Sequence, residues 1–157
     1  MKMLASGAKA PDFALQTTGG RVVSLKEILQ RGPVAITFFK SSCPVCQFTF
    51  PFLERLHREG KGVQFYAVCQ DSAPTAERFA SDYGVSFPML LDRSEEGYPA
   101  SNAYGIRVVP SLFLVEPDGT VSLTMEGFEK AALEALGERV QTSPFHAGED
   151  VPAFRPG

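Results

Sequence analysis

Two of the chain's three cysteines stand three apart, as Cys43-Pro44-Val45-Cys46, directly after the apolar run Val34–Phe39. A strand that runs into Cys-x-x-Cys and then into a helix has a specific chemical use. It puts the first thiol at the helix N-terminus, where unpaired N–H groups and the positive dipole end favour a thiolate in general. The second thiol follows one turn later and can close a small disulfide. Cys43 is therefore the candidate attacking thiolate and Cys46 the candidate resolving thiol. Pro44 sits at the first helical turn, where a missing N–H costs no hydrogen bond. Lys40, three residues before Cys43, is a candidate electrostatic modulator; the plainer reading is a solvated lysine.

Other chemistries fit the pair less well. A structural zinc site wants four ligands in close pairs. The remaining donors, Cys69, His57 and His146, supply no second short-spaced pair. Two soft thiolates could carry Cu(I), but no Met- or His-rich tract supports a metal carrier. No metal or separate cofactor is expected; the redox carrier would be a Cys43–Cys46 disulfide. Cys69 ends an expected strand and reads either as a small core residue or as a third redox thiol.

The elements that must hold this pair alternate between strand and helix. Val34–Phe39 is too short and β-branched for a core helix and suits a buried central strand. Apolar residues at helical spacing put a helix over 44–59, with Pro51 inside it as a kink. Ser24-Leu25-Lys26-Glu27 has the capping-box pattern and starts a short helix to about Gln30. Strands are expected at 63–69 and 87–91, with helices at 74–83, 97–104 and 129–140. Pro117-Asp118-Gly119 marks a hairpin between strands at 111–116 and 120–125. Strands interleaved with helices plus a late hairpin imply an α/β class with a mixed sheet. One domain over 1–142 is expected, followed by an irregular tail over 143–157, rich in Pro and Gly.

Composition narrows the classes. The 157 residues are 44% hydrophobic and 21% charged, enough to bury a core. The net charge of −3 supplies no basic excess for nucleic acid. No apolar run approaches the length of a membrane span. The first ten residues lack an apolar signal core, so a cytoplasmic location is expected, with the soluble portion of an exported protein as the alternative.

The chain resembles the thioredoxin-like superfamily, and within it the redoxin group of TlpA- and ResA-type thiol–disulfide oxidoreductases, related to AhpC/TSA proteins. The resemblance rests on Gly7-x-x-Ala10-Pro11-Asp12-Phe13-x-Leu15, on Phe38-Phe39-x-x-x-Cys43-Pro44-Val45-Cys46, on Pro51, and on Tyr104-Gly105-Ile106-x-x-Val109-Pro110. It spans about residues 7–140. It implies a thioredoxin-like fold: a central mixed sheet flanked by helices, an N-terminal extension, and a strand–helix segment inserted after the strand near Cys69. It implies that Pro110 is cis beside the cysteines, and that Pro44, Val45, Val109 and Pro110 form the substrate-binding surface. The Val109 backbone would pair with an incoming chain. Implied partners are protein thiols or disulfides and an upstream electron donor. The chain is expected to act as a monomer, and the expected cytoplasmic location makes a reducing direction the more natural one.

Departures from the family pattern bear on proton transfer. Ser42 replaces a frequent Trp before the first cysteine, and the chain has no Trp at all. Thr37 and Thr49 stand where relatives often carry an acidic or amide side chain. A buried carboxylate there would take the resolving thiol's proton. Asp71, Asp92 and Glu126 are alternatives that the sequence does not rank. A thiol peroxidase is the competing activity, since a reactive cysteine can be oxidised to sulfenic acid. The peroxiredoxin pattern Pro-x-x-x-Thr/Ser-x-x-Cys is missing, however. Stepping back from Cys46 gives Cys43 and Phe39 at its hydroxyl and proline places; from Cys43 it gives Lys40 and Ile36.

Overall fold

Six consecutive buried residues form the strand β3 (Val34–Phe39), and the sheet grows outward from it. The computed structural model describes residues 2–157. β3 pairs in parallel with β4 (Gln64–Cys69), which pairs in parallel with β5 (Met89–Leu91). On its other side β3 meets β6 (Ser111–Val115) antiparallel, and β6 meets β7 (Val121–Glu126). An N-terminal hairpin, β1 (Ala14–Thr17) and β2 (Val22–Ser24), adds to β5. The seven-stranded order is β2-β1-β5-β4-β3-β6-β7. This is the mixed α/β sheet expected from the sequence.

Period-two alternation splits β3 between two cores. Val34, Ile36 and Phe38 face α1 (Leu25–Leu29) and α4 (Pro99–Tyr104). Ala35 and Phe39 face α2 (Pro44–Glu59), α3 (Ala73–Tyr83) and α5 (Lys130–Val140). Burying each such aromatic side chain is worth about 1.5–3 kcal/mol. Phe50 on α2 lies 4.6 Å from Phe39 and 5.2 Å from Phe79, ring centre to ring centre. That packing orients the helix that begins at the cysteine pair.

The local signals mostly resolve as read. Ser24 and Glu27 complete a reciprocal capping box at α1. Pro51 lies within an unbroken α2. Gly84, at φ 68°, terminates α3 in the left-handed region that glycine tolerates. The segment after Cys69 holds α3, β5, a short 3-10 turn (Ser94–Glu96) and α4, the helix preceding the strand. β5 is shorter than 87–91 and starts after Pro88, whose ring nitrogen has no proton to give a ladder.

The 143–157 stretch is more ordered than its composition suggests. Phe145 packs 5.1 Å from Phe52, and Arg55 holds Glu149 through two 2.7 Å contacts. Further on, β9 (Phe154–Arg155) pairs antiparallel with β8 (Phe128–Glu129). No helix among the described residues is long and apolar enough to cross a membrane.

Candidate active site

Sheet register brings the chemistry to one end. β3 finishes at Phe39, and the loop 40–43 leads into α2. β4 finishes at Cys69, opposite Phe39. β6 runs the other way and starts at Ser111, opposite Phe38, so the loop before it arrives at the same end. β7 finishes at Glu126, opposite Ser111. Loops 40–43, 69–71, 107–110 and 126–128 therefore cluster, as strand ends do in open α/β sheets.

Cys43 is the N-cap of α2, and its sulfur accepts the Cys46 N–H at 3.2 Å. An N–H aimed at sulfur at a helix N-terminus stabilises developing negative charge. The Cys43 thiol donates to the Val109 carbonyl at 3.3 Å. The Val109-Pro110 bond is cis, as the family resemblance implied. Cys43 is half-buried while Cys46 is wholly buried, and all three cysteines are unpaired. Pro44 is exposed at the first turn, and the Val45 carbonyl accepts the Thr49 hydroxyl at 2.6 Å.

Burial, reinforced by hydrogen bonding to Cys43, pushes the Cys46 thiol above the usual 9.0; a backbone hydrogen bond to Lys40 works the other way. Lys40 thus touches the site through its backbone, while its residue is exposed. Thr37 and Thr49 are both buried, so neither carboxylate-like position supplies a base.

The structure ranks the three acids that the sequence left level. Asp92 is fully buried and accepts the backbone N–H groups of Ala100 and Ser101, which fixes the start of α4. Glu126 is engaged by Arg107 at 3.2 Å. Asp71 alone grips the cysteine loop, accepting the Ser41 N–H at 2.8 Å. Gln47 completes that grip by donating to the Ser41 carbonyl at 2.9 Å. Asp71 is among the acids named from the sequence, without this role; Gln47 escaped the sequence reading, and its place one after Cys46 was its only local trace.

Cys69 is a core residue and also a neighbour of the site. Its thiol lies 3.6 Å from the Asp71 carboxylate, and burial pushes it up to about 12. His57 is half-buried against Phe65 and Phe87, away from the cysteines. No cluster of three metal-ligating side chains occurs among the described residues.

Residues 6–124 match the model of the AhpC/TSA family. The chain belongs to that family, on a thioredoxin-like fold. Its place within the family is the ResA-like thiol–disulfide oxidoreductase group. It is 34% identical to the thiol-disulfide oxidoreductase ResA of Halalkalibacterium halodurans over 119 residues, 74% of this chain and 65% of that one. It is 30% identical to ResA of Bacillus subtilis over 127 residues, 79% and 69% of the two chains. The chain therefore spans about two thirds of the length of these relatives. Among solved structures, a putative thiol:disulfide interchange protein DsbE from Chlorobium tepidum superposes with a TM-score of 0.75 at 32% identity, over 88% of this chain and 96% of that one. The thioredoxin domain of a thiol-disulfide oxidoreductase from Bacteroides vulgatus, at 21% identity, shares the fold with a TM-score of 0.77 over 87% and 99% of the two chains.

Proposed function

We propose that this chain exchanges electrons with protein disulfides through Cys43 and Cys46, with Cys43 as nucleophile. The Cys43 thiolate attacks one sulfur of a partner disulfide. The partner's S–S bond breaks, its second sulfur leaves as thiolate, and a Cys43–partner mixed disulfide forms. Cys46 then loses its proton and attacks the Cys43 sulfur. The mixed disulfide breaks, the partner leaves with two thiols, and a Cys43–Cys46 disulfide remains. Two electrons have passed to the partner, and an upstream dithiol donor restores the pair. No cofactor beyond the two sulfurs takes part, and one chain suffices.

The observation that carries this reading is the placement of the Cys43 sulfur between the Cys46 N–H and the Val109 carbonyl. Val109 and Pro110 would line the partner's path, with Pro44 and Val45 on the opposite rim. Lys40 acts through its backbone in this scheme. The raised Cys46 thiol holds its proton until a mixed disulfide has formed, which favours a long-lived intermediate.

Direction follows from reduction potential against the surroundings. In the cytoplasm, where thiols are kept reduced, the pair would serve as a reductant. As the soluble portion of an exported protein it would work against an oxidising background. Redox titration with thiol counting by intact mass tests the reading. A single two-thiol transition at Cys43 and Cys46 is expected, and its midpoint assigns direction. Absence of any intramolecular disulfide at every potential would overturn it and favour a peroxidase.

A further inference from the structure

The backbone edge beside the cysteines is already occupied. β9 lies on β8 with Arg155 opposite Phe128 and Phe154 opposite Glu129. The Lys130 N–H donates to the Ala153 carbonyl at 2.9 Å and extends the ladder. The Arg155 guanidinium stands 4.3 Å from the ring centre of Phe48, two residues past Cys46 on α2. Past Arg155 the chain crosses Gly127 so closely that a Cβ there would lie 2.6 Å from the Arg155 carbonyl and 3.0 Å from the Gly157 nitrogen. It then reaches Val109, where a Cβ on Gly157 would overlap the carbonyl oxygen. That oxygen is the one bonded by the Cys43 thiol.

The holding forces along this segment are uneven. Residues 144–149 are anchored: Pro144 is buried, and Arg55 reaches both its carbonyl, at 3.2 Å, and the Glu149 carboxylate. Residues 153–157 are all exposed, Phe154 at 57%, and rest on a two-residue ladder. So short a ladder opens at little free-energy cost. A well-anchored base and a weakly held end make a strap that can lift without unfolding the sheet.

We infer that segment 151–157 fills the groove that receives the partner protein, and that the partner docks by displacing it. The inference rests on the exchange reaction proposed above. The incoming chain would add as an extended strand to β8 in place of β9. Its chemistry is read from the present occupant: extended backbone, a flat cation over Phe48, and a small residue against the Val109 carbonyl. Small disulfides, which need no strand pairing, would pass the strap with little hindrance. A groove that is mostly closed lowers apparent affinity by its open fraction.

Variants of the whole 157-residue chain test this. Gly157→Leu places bulk where the Val109 carbonyl stands, and Arg155→Ala removes the contact with Phe48. Each is expected to raise kcat/KM for insulin disulfides about fivefold, mainly through KM, consistent with losing one exposed cation–ring contact and a short ladder. Turnover of 5,5′-dithiobis(2-nitrobenzoate) should not change. A merely structural role for the strap would not raise the rate with a protein substrate alone. Equal, nonzero rates with insulin for wild type and both variants would overturn the strap and leave the exchange activity standing. No exchange by any of them would overturn the exchange reading and the strap with it. A second measurement does not use turnover. A cysteine-containing decapeptide is coupled to Cys43 of the Cys46→Ser variant as a mixed disulfide. The ring-current shift of the Arg155 side-chain protons over Phe48 should be lost on coupling, because the peptide takes the place of the strap. An unchanged shift would show that peptide and strap do not compete.

Discussion

Cys43 and Val109, 66 positions apart in the chain, meet through a 3.3 Å contact between the thiol and the carbonyl oxygen. Antiparallel pairing of β3 with β6 is what makes them neighbours, because the end of one strand lies over the start of the other. A partner sulfur joined to Cys43 therefore sits beside the backbone edge of β8 that β9 covers. Attack and strand pairing then reinforce each other at one place, and the effective concentration of the second sulfur rises.

The division of labour between the two cysteines is directly testable. Cys43→Ser should reduce disulfide exchange to background. Cys46→Ser should retain the first attack and accumulate mixed disulfides, visible as added mass that reductant removes. Cys46 is wholly buried behind Cys43, so a partner sulfur should reach it only after rearrangement. Trapping by Cys43→Ser but not by Cys46→Ser would reverse the assignment.

Asp71 acts at one remove, by holding Ser41. Asp71→Ala leaves the part-buried Ser41 N–H without its acceptor, a loss of about 1–3 kcal/mol by the usual cost of an unmet donor. The loop 40–43 should loosen, with protection of the Ser41 amide falling and exchange slowing about fivefold. Asp71→Asn keeps an acceptor oxygen and should recover most of both. Amide exchange read with turnover on the two variants distinguishes positioning from general stability. Rescue of neither quantity by Asn would mean that the carboxylate charge matters in itself.

Much of this site was legible in the sequence because its signals are local. The cysteine spacing, Pro44 at the helix start and the capping box of Ser24 and Glu27 each involve residues within one turn. The six-residue run of β3 announced the central strand. What escaped depends on contacts between distant segments. Asp71, Asp92 and Glu126 look alike in sequence, and only pairing of β4 with β3 brings Asp71 to Ser41, 30 positions earlier. The pairing of β8 with β9 involves two residues on each side, too few for alternation to show. Gly127 likewise reads as an ordinary turn glycine until the chain is seen crossing it.

Alkaline pH should destabilise the reduced protein. Burial raises Cys46 above its usual 9.0 and Cys69 to about 12, and it raises Tyr104 above its usual 10.0. The fold favours the protonated form of each group. The unfolded chain ionises near the usual values, so the stabilising contribution is complete below about pH 9 and is lost as pH rises toward 12. The melting temperature of the reduced protein should hold from pH 6 to 8.5 and fall by pH 10.5. The oxidised protein has no Cys46 thiol to titrate and should fall less steeply, as should Cys69→Ala. A melting temperature level through pH 10.5 in the reduced form would contradict the burial argument.

Acid should act on a different part of the molecule. Glu149 is lowered from 4.5 to about 2, first by the hydrogen bond from Arg55 and then by the His146 backbone N–H. A lowered carboxylate contributes above its unfolded value and loses that contribution as pH falls through the folded one. The window therefore runs from about pH 4.5 down to about 2. The two side chains keep 26% and 30% of their surface exposed, so solvent screens the pair and global stability should shift only modestly. The effect should be local: hydrogen-exchange protection at the His146 and Glu149 amides should drop across that window, while that of β3 stays constant. Arg55→Met should produce much of the same local loss at pH 7 and weaken the acid dependence, leaving the part carried by the His146 N–H. Because this pair anchors the base of the strap, the variant should also speed insulin turnover. Loss of protection at 144–149 with no change in that turnover would show that the strap is held by β8 and Phe48 alone.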